Sequence, residues 1–352
     1  MNKIIYSSNR EVLEKVEIDE EEFIVPEGVE YIAKNAFEGC ENLKKIILPD
    51  SLKTICAFAF ADLKISEITL PKNLRRLGDG AFFGCKNLKK INIDEGNEYF
   101  RFADGILTSY GTVIYLVLPT KNITKFEVPH GCTLKAGCFA YNKYLEEVVL
   151  NTAITSVPYG CFCGCKNLKS IRNTENITSI GSYAFYNCKS LENVKFKNTI
   201  EILSSAFQGC VNLKDVQFDN LNKIEDYAFV DCKSLKHFEM KKVTEFGFSI
   251  FVGTGFKAFT VPENLIIHRK NDNFYTELFG DKGIFKIFDV KKEFRGPKYM
   301  IVSRKVLEEN PKFMEDFGDK IIIKGEELDK LIEGKKSFKE INNAYKELNE
   351  ER

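Results

Sequence analysis

The sequence has no tryptophan, only three histidines (His130, His237 and His268), and no stretch of about 18 apolar residues. The last absence excludes a helical membrane span, which needs roughly 20 such residues. Gly-x-Gly-x-x-Gly, phosphate-loop and His-Glu-x-x-His patterns are all missing, so neither a nucleotide nor a zinc-protease signature is present. Excess charge of either sign is missing too: 51 Lys+Arg oppose 51 Asp+Glu among 352 residues. Phosphate binding needs a concentrated basic surplus, so nucleic acid is not the expected partner. Residues Met1 to Arg10 hold no apolar run suited to a secretory leader, and the C-terminus shows no apolar tail. A cytoplasmic location is therefore expected, with the cell surface or secretion as the alternative for a processed chain. No cofactor is expected.

What is present is a repeat. Ala81-Phe82-Phe83-Gly84-Cys85-Lys86-Asn87-Leu88 returns in close copies such as Ala36-Phe37-Glu38-Gly39-Cys40 and Ala206-Phe207-Gln208-Gly209-Cys210. The anchoring residues are Phe37, Phe60, Phe82, Phe139, Phe162, Phe185, Phe207, Phe229 and Phe251, with steps of 22 or 23 residues and a single step of 57. A fixed period in this range signals a stacked solenoid. Five residues before each phenylalanine stands an apolar residue, among them Ile32, Ile55, Leu77, Val157 and Ile202. Ile46-Ile47-Leu48 alternates, with Ile46 and Leu48 inward and Lys45, Ile47 and Pro49 outward, which is the period of a short strand. Each repeat thus predicts one strand, a turn and a return segment plugged by its phenylalanine. A lone unit cannot bury its apolar face, so the units must stack along one continuous core.

These residues resemble the leucine-rich repeats of the BspA-like, Treponema pallidum-type family. Its pattern reads roughly Leu-Pro-x-x-Leu-x-x-Ile-x-x-x-Ala-Phe-x-x-Cys-x-x-Leu-x-x-Ile, and Leu48-Pro49 through Ile55, Leu70-Pro71 through Ile91 and Val261-Pro262 match it. The resemblance spans residues 22–262. It implies an α/β repeat solenoid, a leucine-rich-repeat right-handed superhelix with one short strand per 22–23-residue repeat. It also implies binding roles, adhesin-like in some members.

Eleven cysteines would suggest disulfides in a secreted protein. Their placement argues otherwise. Cys40, Cys85, Cys165, Cys188, Cys210 and Cys232 all stand three residues after the phenylalanine. Equivalent slots in a stack point the same way, so these thiols form a row of small buried groups near turn amides. Cys138 and Cys161 take the slot that is alanine elsewhere. The thiols are read as reduced and structural.

Along the chain, residues 1–22 form an N-terminal cap in which Val12, Leu13, Val16 and Ile18 cover the open edge. The solenoid occupies 23–262. Its long step holds a hairpin insertion, 94–122, with Gly105–Thr108 and Val113–Leu118 flanking Ser109-Tyr110-Gly111-Thr112. This hairpin is expected to stand in for one repeat and keep the ladder continuous. Residues 263–352 break the period. Apolar runs at Tyr299–Val302 and Ile321–Ile323, with helical patterns at 303–310, 326–333 and 336–350, predict a C-terminal α/β cap or small module.

Two clusters bear on chemistry. Cys161-Phe162-Cys163-Gly164-Cys165 has a thiolate spacing that invites a metal. The repeat frame opposes this, because Cys161 and Cys165 fall in structural slots and only Cys163 is unassigned. The histidines lie far apart in repeat number and no nucleophile is placed beside them, so no catalytic site is assigned.

The strand face is the candidate partner-binding surface. Its outward registers carry Lys45, Glu67, Lys90, Glu147, Arg172, Lys195, Asp215, Gln217, His237 and Glu239. A stacked ladder makes a wide, rigid face whose residues need little ordering on association. The plain alternative is a solvated spacer. The insertion's Tyr99, Phe100, Phe102 and Tyr110 form a second candidate patch unless they pack on the convex side. The expected function is a non-catalytic protein-interaction scaffold with a protein partner of unknown identity. The alternative is an enzyme or regulatory module in 263–352 carried by a repeat arm.

Overall fold

The computed structural model describes residues 3–239 and 242–256, together with the backbone of three strands, Ala258–Thr260, Tyr299–Ser303 and Ile321–Lys324. The described residues form a β-solenoid and contain no helix. The expected α/β character gives way to an all-β one, and each coil supplies two short strands rather than one.

The first row is the face ladder: Glu22–Ile24, Lys45–Ile47, Glu67–Leu70, Lys90–Ile93, Lys125–Glu127, Glu147–Val149, Ser170–Arg172, Asn193–Lys195 and Asp215–Gln217. Members pair parallel and in register within short groups, as in Lys125↔Glu147↔Ser170 and Glu127↔Val149↔Arg172. The middle residue of most strands faces in, so Ile46, Ile68, Ile91, Val148 and Val194 are buried between exposed or half-buried neighbours. This alternation stops at the strand end: Leu48 is only half-buried and Pro49 is buried, opposite to the sequence expectation.

The second row ends at the apolar residue five before each core phenylalanine. Its strands are two residues long, among them Tyr31–Ile32, Thr54–Ile55, Arg76–Leu77, Thr133–Leu134, Ser156–Val157, Ser179–Ile180, Glu201–Ile202 and Lys223–Ile224. Two residues are too short to show a period, which is why alternation did not reveal them.

The return segment is a run of tight turns. Glu38 N–H bonds Asn35 O, Cys40 N–H bonds Phe37 O and Leu43 N–H bonds Cys40 O, each three residues back. Two left-handed residues per coil bracket the core phenylalanine and forbid a helix there. The slot two before it holds Asn35, Phe58, Gly80, Gly137, Gly160, Tyr183, Ser205, Tyr227 and Ser249, all at φ between 53° and 67°. The slot two after holds Gly39, Asp62, Gly84, Tyr141, Gly164, Asn187, Gly209, Asp231 and Gly253, again all with positive φ.

The nine phenylalanines are buried, eight at 0% exposure and Phe82 at 5%. They do not form one uninterrupted spine. Buried side chains divide into an N-terminal cluster from Leu13 to Leu118 and a C-terminal cluster from Ile114 to Phe256. The division lies inside the insertion, which is a three-stranded antiparallel meander (Phe100–Ala103, Ile106–Ser109, Val113–Val117) rather than a simple hairpin. Its last strand joins Thr133–Leu134 in parallel and so takes a place in the second row. Adjacent residues of that strand serve different cores: Leu116 belongs to the first cluster, Ile114 and Val117 to the second. The expectation of one continuous core therefore fails, because the strand register slips past Tyr115 and this bulge sets Ile114 with Val117 rather than with Leu116.

Several contacts bridge the division. The Phe58 ring of the first stack meets the Tyr159 ring of the second at 5.3 Å. Lys135 pairs with Asp79 at 2.9 Å. The Phe83 ring lies over Gly137 and Gly160, where a Cβ at either would meet it at 2.6 Å. Both glycines are at positive φ, but other coils fill that slot with larger residues, so it is the Phe83 ring that favours glycine here.

At the N-terminal end, strands Lys3–Tyr6 and Val12–Glu17 form an antiparallel pair, and the latter pairs in parallel with Tyr31–Ile32. The cap thus extends the second row and buries Leu13 and Val16 completely. At the other end, Ala258–Thr260, Tyr299–Ser303 and Ile321–Lys324 form a three-stranded parallel sheet. The expected α/β cap finds no support beyond these strands. Its helical patterns after 303, at 326–333 and at 336–350, and the alternative enzymatic module's remaining residues, lie outside the described residues.

Candidate functional site

Eight of the ten expected face residues sit on the face ladder. Lys45, Glu67, Lys90, Arg172, Lys195 and Asp215 are exposed, and Glu147 and Gln217 are half-buried. His237 and Glu239 are exposed but lie beyond the last face strand, in a segment without strand pairing. They face each other at 3.6 Å.

Much of the face charge is paired across coils. Lys45 meets Glu22 at 2.8 Å, Lys169 meets Glu146 at 2.7 Å and Lys214 meets Glu192 at 2.9 Å. Arg172 meets Glu147 at 3.3 Å, and Lys44 pairs with Glu21. Along one strand, Lys125 bonds Glu127 at 2.7 Å and holds that carboxyl below its usual range. Exposed pairs of this kind contribute little stability, about 0–1 kcal/mol each, yet they orient long side chains in fixed rows.

The cysteine row has a defined partner. Cys85, Cys165, Cys188, Cys210 and Cys232 each donate their thiol to the carbonyl of a core phenylalanine, Phe60, Phe139, Phe162, Phe185 and Phe207 respectively, at 3.0–3.2 Å. Cys40 uses Val16 O at 3.3 Å. The acceptor is thus a carbonyl one coil back. Burial pushes the Cys85 thiol up to about 12 and raises Cys165, Cys188, Cys210 and Cys232 as well. Such thiols are poor nucleophiles and poor metal ligands, since both roles need the thiolate.

All eleven cysteines are free. The Cys161–Cys163–Cys165 cluster disperses: Cys161 meets Cys138 at 3.5 Å, Cys165 bonds Phe139 O, and Cys163 is buried and takes part in neither contact. Among the described residues, no group of three or more His, Cys, Asp or Glu side chains is arranged to hold a metal ion. His130 is exposed, and His268 lies outside the described residues.

The insertion's aromatic patch splits. Phe100 is buried against Tyr115 at 5.8 Å, whereas Tyr110 projects from the turn at 70% exposure. Tyr99 and Phe102 are half-buried.

A surface that the sequence reading missed runs along the return-turn edge, away from the face ladder. Phe58, Phe83, Tyr141, Tyr159, Tyr183 and Tyr186 form a chain of ring contacts at 5.3–6.1 Å. Tyr227 and Phe248 extend the edge toward the C-terminal coils, where Tyr227 N–H bonds Phe248 O at 2.9 Å. The signal was present as aromatic residues two or three before, or one or two after, the core phenylalanine. It was masked because these slots vary freely between glycine, serine and tyrosine. Beside Tyr227 and Phe248 lies an open depression lined by Ser204, Lys223, Glu225, Asp226, Glu245 and Gly247. Within it Glu225 accepts from Lys223 at 2.8 Å and from the Ser204 hydroxyl at 3.0 Å.

Coils built on a 22–23-residue period, a buried phenylalanine ladder and an inward cysteine row define a leucine-rich-repeat scaffold. Residues 16–104, 118–178 and 155–276 match the BspA type leucine rich repeat region in six copies. These segments cover well over half the sequence, and the chain belongs to that family. Repeats of this class are generally protein-interaction or surface-protein scaffolds.

No curated protein matches the chain. Among solved structures it is similar to a leucine rich cell surface protein from Faecalibacterium prausnitzii, at 27% identity, 56% of this chain, 59% of that one and a TM-score of 0.47. It is also similar to the pneumococcal vaccine antigen PcpA, at 24% identity, 65% of this chain, 63% of that one and a TM-score of 0.46. A leucine-rich repeat protein from Eubacterium ventriosum matches at 21% identity, 72% of this chain, 93% of that one and a TM-score of 0.49. The chain spans about three fifths of the length of the first two.

Proposed function

We propose that this protein is a non-catalytic scaffold that binds a protein partner through the strand-ladder face, adhesin-like in acting by contact without chemistry. The observation that carries the reading is the in-register ladder Lys125↔Glu147↔Ser170 with Glu127↔Val149↔Arg172, on which Lys125, Glu127 and Arg172 are exposed. Strand pairing holds such side chains about 4.7–4.9 Å apart on a backbone that loses little freedom on association. Cross-coil ion pairs at Glu22–Lys45 and Glu147–Arg172 hold the long side chains in place. Both signs alternate, which suits a partner surface of mixed charge and gives specificity through pairing rather than through net attraction.

The test is site-directed photocrosslinking with a crosslinker at Lys195 and, for comparison, at exposed Glu41. Partners crosslinked from Lys195 alone, and lost on Arg172→Glu with Asp215→Lys while melting is unchanged, support the face. Equal crosslinking from both positions, or survival through both charge reversals, overturns it.

A further inference from the structure

The return-turn edge is a second surface, distinct from the strand ladder. On the C-terminal coils it leaves four rings partly in water: Tyr159 at 38%, Tyr183 at 37%, Tyr227 at 44% and Phe248 at 38% exposure. Tyr183 and Tyr227 stand at φ 58° and 60°, a left-handed conformation that bulky side chains rarely adopt. Neighbouring coils fill the same slot with Gly80, Gly137, Gly160, Ser205 or Ser249. The stack therefore does not require a ring at that position. Tyr183 packs on Tyr159 and Tyr186, so it is the strained backbone at the more exposed Tyr227 that points to a role outside the fold's own packing.

The charge beside these rings is negative. Glu225, Asp226 and Glu245 line the depression next to Tyr227 and Phe248, against one ammonium, Lys223, which is engaged by Glu225. One Asp226 oxygen accepts the Phe248 N–H at 2.6 Å, which ties the acidic lining to the aromatic rim. The same edge already shows how such rings receive a cation: the Lys86 ammonium sits 4.3 Å above the centre of the Tyr141 ring.

From these observations we infer that the edge from Tyr159 to Phe248 docks a lysine- or arginine-bearing segment of a partner protein, with a cationic head in the Glu225–Asp226–Glu245 depression and its stem against Tyr227 and Phe248. Carboxylates repel anionic headgroups, so a lipid surface does not fit. Tyr159 and Tyr183 meet at 62° and Tyr183 and Tyr186 at 65°, so the rings offer no coplanar platform for the faces of a glycan. A guanidinium or ammonium stem between tilted rings, beside carboxylates, fits both features.

The experiment titrates the full chain with three short fluorescein-labelled peptides in which arginine, lysine or glutamate alternates with serine, read by anisotropy at two salt concentrations. The arginine and lysine peptides should bind saturably and more weakly at high salt, and the glutamate peptide should not bind. Tyr227→Ser with Phe248→Ser should weaken binding by roughly tenfold or more, as expected for two desolvated cation–π contacts. Serine already occupies the first slot at Ser205 and Ser249, so these substitutions should leave melting unchanged. Glu245→Lys should weaken binding similarly, while Glu41→Lys on the distant N-terminal coils should not. Absence of saturable binding by the cationic peptides, a preference for the glutamate peptide, or binding indifferent to both Tyr227→Ser/Phe248→Ser and Glu245→Lys would overturn the inference.

Discussion

The two stacks on either side of the insertion share slots but differ in order. In the N-terminal stack Phe37 meets Phe60 with planes 49° apart, and Phe60 meets Phe82 at 29°. In the C-terminal stack the planes from Phe139 to Phe251 differ by only 18°, 12°, 12°, 4° and 17°. The irregular coil of the first stack is the Phe60 one, which lacks a turn residue and has no cysteine three after its phenylalanine. The second stack also holds a parallel aromatic row, Phe196, Phe218 and Phe238, packed on the first at 5.0–6.5 Å. The C-terminal rings keep one repeated geometry even though their coils run to either 23 or 22 residues, whereas the rings around the Phe60 coil are tilted.

The strongest test of this difference is the removal of one ring from each stack. Phe207 touches Phe185, Phe196, Phe218 and Phe229, whereas Phe37 touches Phe23 and Phe60. Phe207→Ala should cost about 3–5 kcal/mol in urea unfolding, with Phe37→Ala toward the lower end of that range. Lys195→Ala should stay within about 0.5 kcal/mol. A loss at Lys195 equal to that at Phe207 would contradict the stacked core.

Alkaline pH should separate the stacks next. An unfolded thiol ionises near pH 8.5, whereas burial keeps Cys85 neutral up to about 12 and raises Cys188, Cys210 and Cys232. The raised value in the fold means that this contribution is complete below pH 8.5. Above it the unfolded chain releases protons first, so stability falls until the folded thiols ionise too. Each thiol should cost about 1.4 kcal/mol per pH unit in that window. The C-terminal stack holds four row thiols against two in the N-terminal stack, so its amides should lose protection from hydrogen exchange more steeply between pH 8.5 and 10. Parallel loss in both stacks would mean that the thiols are not the cause.

The smallest expected effect sharpens the boundary itself. Phe83→Ala removes the ring lying over Gly137 and Gly160 and should cost about 1–2 kcal/mol. Its mark should be local, with faster exchange at 133–141 and little change at 201–230. Uniform acceleration across both segments would show one cooperative unit instead of two coupled ones.

Much of this architecture was legible in the residues. The nine phenylalanines, the six-membered cysteine row and the inward residues of the face strands all recur at a fixed offset, and every coil places them alike. The two-residue second row was recorded only as an apolar position, because so short a strand carries no alternation. The helical element expected of an α/β repeat failed on left-handed residues, announced at Asn187 by a slot that is glycine, asparagine or aspartate in most coils but not at Tyr183. The aromatic edge was overlooked because Tyr159, Tyr183 and Phe248 are separate deviations from the repeat until the coils are stacked.

Sequence alone settled the repeat class, the identity of the buried rings and the row of thiols, since each follows from equal chemistry at equal spacing. Tertiary structure decided where the core divides, which carbonyls the thiols meet and which rings gather on the return-turn edge. Those outcomes depend on how one coil seats on the next, and a register between coils is a property of distances in space, which a spacing along the chain does not contain.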